Sequence, residues 1–158
     1  MLNRLLLLLC CLPLMGCVSA NAPYEEHDAL AAMASCPSVT VYYPDGAGNA
    51  LPLTRVLPWE TDMATALLDT LSAPPEGLPA AVPKEVSFQV TLEKGTATVN
   101  VLGLPVFDTP AEESSAVQCI AKTVLALPEV TQVALLFDGE RLVRLKHGTE
   151  VLEVFFDE

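Results

Sequence analysis

The sequence predicts an α+β domain: a mainly antiparallel or mixed sheet with two helices packed on one of its faces. Three observations carry that expectation. Short runs alternate apolar and polar residues, as in Val86, Phe88, Val90 and Leu92 against Ser87, Gln89 and Thr91. Two other stretches, Met63 to Leu71 and Val117 to Leu125, repeat apolar residues at helical spacing instead. The order that results is β-β-α-β-β-α-β-β-β, and hairpins separated by helices suit a sheet covered on one side.

The elements follow in turn. Val39, Val41 and Tyr43 alternate with Thr40 and Tyr42, a pattern of β-branched and aromatic residues typical of a strand. The run from Pro44 to Asn49 (Pro-Asp-Gly-Ala-Gly-Asn) is dense in turn chemistry. Leu51, Leu53, Arg55 and Leu57 continue as a second strand, and Pro52 and Pro58 mark it as an edge, since proline cannot donate to a ladder. Thr61 or Asp62 caps the first helix, whose stripe is Met63, Ala66, Leu67 and Leu71, and Pro74-Pro75 ends it. Glu93-Lys94-Gly95 turns the third strand into Thr96 to Val101. After a variable stretch from Leu102 to Glu113, Ser114 or Ser115 is expected to open the second helix, with Val117, Ile120, Ala121, Val124 and Leu125 inward and Cys119 roughly opposite. Gln132 to Phe137 and Arg141 to Lys146 read as a second hairpin around Asp138-Gly139, and Val151 to Phe156 as a final strand.

Ahead of this domain stands a leader. Arg4 and the run Leu5 to Leu9 precede Leu14-Met15-Gly16-Cys17, which resembles a bacterial lipobox. The chemistry needs those residue types: a small residue lets the peptidase reach the bond, and the thiol takes a diacylglycerol as thioether. The apolar run is too short for a permanent span of about 30 Å of hydrocarbon. The expected organisation is therefore a signal peptide over 1–16, a flexible tether over 17–37 starting from lipidated Cys17, and a folded domain over 38–158. The expected location is outside the cytoplasmic membrane, held there by the lipid anchor.

Charge narrows the partners. The chain has 8 Lys and Arg against 20 Asp and Glu, a net charge of -12. No basic patch is available to release counterions from nucleic acid, so nucleic-acid binding is excluded. Of five cysteines, Cys10 and Cys11 are expected to leave with the leader and Cys17 to carry the lipid. Cys36 and Cys119 remain as a candidate disulfide that an exported protein permits but does not require.

Catalytic chemistry finds little to work with. The histidines are His27, in the tether, and His147, at the end of a hairpin; both are expected to be solvent-exposed. No metal-binding His pair, nucleophile elbow or phosphate-cradling loop occurs, and no cofactor or metal is implied. Asp45, Asn49 and their glycines lack the spacing and closing Glu of an EF-hand. Carboxylates are plentiful enough for a two-carboxylate cell-wall hydrolase, yet Glu112-Glu113 suits a helix start and Asp45 and Asp138 suit turns. A carboxylate pair in one cleft would favour the hydrolase. Trp59, between Pro58 and a helix cap, is either a staple onto the core or an exposed aromatic anchor for a partner.

The pieces Val39-Thr40-Val41-Tyr42-Tyr43-Pro44-Asp45, Leu53-Thr54-Arg55, Ala66 to Leu71 with Pro74-Pro75 and Gly77-Leu78, Val82-Pro83, Lys94 to Val101 and Asp138-Gly139 occur in an order that resembles the GerMN domain of spore-germination and sporulation lipoproteins. The match covers most of residues 38–140. An N-terminal lipobox is also typical of that family. The resemblance implies a fold similar to the ring-building domains of secretion machines, and a non-catalytic interaction or assembly module of the cell envelope, in sporulation or germination. Its partners would be the membrane, through the lipid, and an envelope protein or further copies of itself. The founding member carries two such domains; this chain carries one. The alternative is a lipoprotein that binds a small ligand or a peptidoglycan fragment in a concave pocket.

Overall fold

A computed structural model describes residues 36–58, 62–103, 107–151 and 155–156. The first strand, β1 (Ser38–Pro44), pairs antiparallel with β2 (Ala50–Val56), Tyr42 opposite Pro52. Helix α1 (Met63–Asp69) follows and tightens into a 3-10 turn over Thr70–Ser72. Strands β3 (Ser87–Glu93) and β4 (Thr96–Leu102) form a complete hairpin through Lys94 and Gly95, both at positive φ. Helix α2 (Pro110–Leu125) carries the chain across to β5 (Gln132–Phe137), which lies parallel to β4. A short β6 (Phe155–Phe156) pairs with the start of β5. The α+β class holds, with two sheets in place of one: β1-β2, and a mixed sheet in the order β3-β4-β5-β6.

The second sheet changes how α2 is buried. Val117, Ile120, Ala121 and Val124 form the expected apolar stripe, and all are buried. Ser115, Cys119 and Thr123, each one turn apart, are buried as well. Thr123 shows what covers them: its Oγ1 accepts the Tyr42 amide of β1 at 2.9 Å. The Lys122 ammonium lies 6.0 Å from the centre of the Tyr42 ring on the same side. A helix buried over most of its circumference is a core element, and the second face is made of small and polar residues because β1 approaches it closely. Cys119 is therefore a core residue, although its place off the stripe argued against that.

Of the two tyrosines on opposite faces of β1, Tyr43 is fully buried and Tyr42 half-buried. The Tyr43 hydroxyl donates to the Thr70 carbonyl and accepts from Arg55 Nη1, each at 3.1 Å. A buried phenol with both roles satisfied locks the first hairpin to the end of α1.

One expected element is corrected. The hairpin predicted around Asp138-Gly139 makes its turn and one bridge, Phe137 to Glu140, and then stops. Residues 141–146 do not return along β5. They enter a small loop closed by the Arg144–Glu150 bridge and by Val151 donating to Val143. The strand expected over Val151 to Phe156 is seen only at Phe155–Phe156, the residues 152–154 lying outside those described.

Candidate functional site

Cys17, Trp59 and His27 lie outside the described residues. In the structure Cys36 and Cys119 are not joined: Cys119 is fully buried on the β1 side of α2, while Cys36, the first described residue, is half-buried. Burial pushes the Cys119 thiol up to about 11, so it is a poor nucleophile at neutral pH.

Helix α2 begins earlier than Ser114 or Ser115. Thr109 is the N-cap, Pro110 occupies the first turn, and a capping box closes the end. The Thr109 hydroxyl accepts the Glu112 amide at 3.2 Å, and Glu112 Oε2 accepts the amides of Asp108 at 3.0 Å and Thr109 at 3.2 Å. The sequence signal was the Thr-Pro-x-Glu spacing, which announces a helix start three residues ahead of its Glu. Starting the helix there places Glu113 one turn inside, on the buried face.

Glu113 is the most enclosed carboxylate described, 1% exposed. Its oxygens accept the His147 amide at 2.9 and 3.2 Å and the Thr149 amide at 3.0 Å. Burial alone would raise its carboxyl; the donors from His147 and Thr149 outweigh that and hold it below the ordinary 4.5. His147, expected on the surface, is half-buried, and its Nε2 donates to the Phe107 carbonyl at 2.7 Å. Together these bonds clamp the 144–150 loop over the start of α2. The His147–Glu113 pair is thus structural: the carboxylate is taken up by the amides of His147 and Thr149 and by the Thr149 side chain.

A cavity of about 440 Å³ opens beside that helix start. Its walls are the β1–β2 turn, the loop 79–83 and the first turns of α2. Asp45 shapes the first wall: Oδ1 accepts the amides of Ala47 at 2.8 Å and Asn49 at 3.0 Å, and Oδ2 the Asn49 side-chain amide at 2.9 Å. Those bonds, the Asn49 side chain foremost, hold the Asp45 carboxyl below its usual value. The Asp-x-x-x-Asn pattern is consequently a self-closed turn, and among the described residues no group of three or more potential ligands could hold a metal.

Asp108 and Glu112 share the cavity, which is the arrangement a two-carboxylate hydrolase would need. Both are exposed, and Glu112 is engaged by the capping amides.

Two further features of the fold face outward. Among the described residues β2 and β3 each pair with a single neighbour. Leu51 and Val56 on β2 and Leu92 on β3 are exposed, Val56 to 59%.

The fold is that of solved GerMN domains. The tandem GerMN domains of the sporulation protein GerM from Bacillus subtilis match with a TM-score of 0.66 and 21% identity, over 76% of this chain and 46% of that one. The chain thus spans just under half of the tandem protein. The first GerMN domain of the same protein matches with a TM-score of 0.65 and 21% identity, over 76% of this chain and 97% of that one. A putative lipoprotein from Clostridium perfringens matches with a TM-score of 0.53 and 15% identity, over 77% and 87% of the two chains. No curated protein matches the sequence. The family model Germane, described as sporulation and spore germination, matches residues 40–143. With well over half of its length matched and the fold shared, the chain belongs to the Germane family of sporulation and spore germination domains.

Proposed function

We propose that this chain is a non-catalytic, lipid-anchored module on the outer side of the bacterial cytoplasmic membrane. It presents a sheet edge to another envelope protein or to a copy of itself, in the service of sporulation or germination. The observation that carries this reading is β2: an edge strand with exposed Leu51 and Val56, stitched to the core through β1. An open edge offers backbone donors and acceptors to a partner strand, and apolar side chains beside it add area. Pro52 removes one donor, so pairing would concentrate on the Thr54–Val56 end. Family membership supports the biological setting. The lipobox-like tetrad ending at Cys17 supports the anchor, and no helix among the described residues is long and apolar enough to cross a membrane.

The test is photo-crosslinking in cells, with a photoreactive residue at Val56 and a control at Glu140 in the exposed turn. The expected result is capture of one defined envelope protein, or of the chain itself, from Val56 alone. Equal or absent capture at both positions would refute the edge. In the same cells Cys17→Ala is expected to leave an unprocessed precursor or a protein released from the membrane fraction; a processed, fully retained product would refute the anchor.

A further inference from the structure

Edge strands are normally blunted against pairing by proline, charge, a bulge or a covering segment. β2 is blunted along part of its length, by Pro52 and Arg55. β3 has none of these over Ser87 to Leu92 (Ser-Phe-Gln-Val-Thr-Leu), in a chain with 20 acidic and 8 basic residues. Its seven residues pair with β4 one to one, without a bulge. Among the described residues no strand lies on its other side.

The hairpin decides which backbone groups reach that open side. Glu93 and Thr96 flank a two-residue turn and form a hydrogen-bonded pair. Ser87, Gln89, Thr91 and Glu93 therefore direct their amides and carbonyls at β4, and Phe88, Val90 and Leu92 direct theirs at the open edge. The side chains of these last three share the core face of the strand, where Phe88 is buried, Val90 half-buried and Leu92 44% exposed.

This strand is complementary to itself about Val90. Two copies paired antiparallel around a two-fold axis there set Val90 against Val90, Phe88 against Leu92, Gln89 against Thr91 and Ser87 against Glu93. Every outward amide then meets an outward carbonyl. The exposed Leu92 gains a phenyl ring opposite it, and the one charge of the strand faces a serine, with no like charge across from it. Moving the axis to Gln89 or Thr91 pairs fewer of the seven residues and parts Leu92 from Phe88. The symmetry of the strand selects a second copy as its occupant.

We propose that two copies of this chain join β3 to β3 in this register, making one eight-stranded sheet from two four-stranded ones. The inference concerns a different edge from β2 and does not rest on the reading given to β2.

The experiment is sedimentation equilibrium of the full-length chain in density-matched non-ionic detergent, with micelles in large excess, alongside amide exchange by NMR. A single strand pair is a small interface, so a dimer with a Kd of about 10–100 μM is expected. Exchange at Phe88, Val90 and Leu92 should slow as concentration rises, while Gln89 and Thr91, already bonded to β4, stay unchanged. Ser87→Lys places a lysine opposite Glu93 twice in the dimer and should tighten it about three- to tenfold; Ser87→Glu should loosen it by a similar factor. Ser87 is exposed, so both variants should unfold like the parent when dilute. A monomer at millimolar concentration, equal Kd values for the two Ser87 variants, or concentration-dependent protection confined to other amides would overturn the proposal. So would a dimer broken by Val56→Lys and indifferent to Ser87, which would place self-association at β2. Capture of another envelope protein at Val56 can succeed or fail whatever the Ser87 variants show, so the two readings fail separately.

Discussion

Lys94-Gly95 and Asp138-Gly139 are the same device used twice, with opposite results. Each is a two-residue turn with both residues at positive φ, the conformation that matches strand twist. The first closes a seven-residue pairing between β3 and β4. The second closes one bridge, and its outgoing arm leaves the sheet. The difference lies in what surrounds them. Around Lys94-Gly95, the Gly95 carbonyl accepts from Thr131 and Gln132, so the turn is tied to the start of β5. At Asp138-Gly139 the ties run to the end of β4: Asp138 donates to Val101, Gly139 to the Asn100 side chain, and Gly103 to Asp138 Oδ1. Meanwhile the far edge of β5 is taken at Gln132 and Val133 by β6, and the outgoing arm is drawn to Glu113. Turn chemistry fixes a reversal; competition for the edge fixes whether a strand follows.

If Glu113 holds that arm off the sheet, removing it should be the most damaging change. Glu113→Ala leaves two amides without their acceptor in a buried site, and the expected loss is about 3 kcal/mol by urea denaturation. The amides of His147 and Thr149 should also lose hydrogen-exchange protection, while those of β3 and β4 keep theirs. Uniform loss of protection would show that the arm is no separate unit. The same carboxylate sets an acid limb. Its folded-state value lies below the ordinary 4.5, so its contribution is fully present above that pH and is lost as pH falls through the depressed value. Glu113→Gln, stable enough to titrate, should therefore show a shallower loss of stability below pH 4.5 than the parent. Parallel curves would mean that another group drives acid unfolding.

Gly95→Ala tests the other turn. A Cβ there would stand 2.9 Å from Thr131 Oγ1, and that hydroxyl itself donates to the Gly95 carbonyl at 3.2 Å. Left-handed backbone costs an Ala about 1–2 kcal/mol, and the displaced threonine adds to it, so a loss of about 2–3 kcal/mol is expected in thermal or urea unfolding.

Much of this architecture was legible in the chain. The alternation in β3 and β4, the turn glycine at position 95, the Asp62 cap of α1 and the prolines of an edge strand each act within a few residues, and each was met. The start of α2 was misplaced because Ser114 and Ser115 are good caps in isolation, whereas Thr109 and Glu112 satisfy two sets of amides together. Cys119 and Ser115 were misjudged because one apolar stripe describes a helix with one neighbour, and α2 has two. Residues 142 and 145, not alternate ones, turn toward the core, so a strand pattern there was an accident of composition. The Glu113 clamp joins residues more than thirty apart and left no local trace. The cavity needs three segments brought together, and only its charge was foreshadowed, by the acidity of the whole chain.

The smallest expected effect is the most discriminating. Gly139 has φ near that of Gly95, 84° against 83°, but a Cβ on it would meet nothing within 4 Å. Gly139→Ala therefore bears the backbone term alone, about 1 kcal/mol, and its unfolding midpoint should fall between those of the parent and Gly95→Ala. Because the two turns share their dihedral demands, the gap between the variants measures the packing of Thr131 against the first turn, independent of conformation. An equal loss in both would place the whole cost in the backbone, and the tie between the first turn and β5 would then contribute little. A larger loss at Gly139 would mean that the short turn, through Asn100 and Val101, holds the parallel β4–β5 pair more firmly than the complete hairpin holds its own strands.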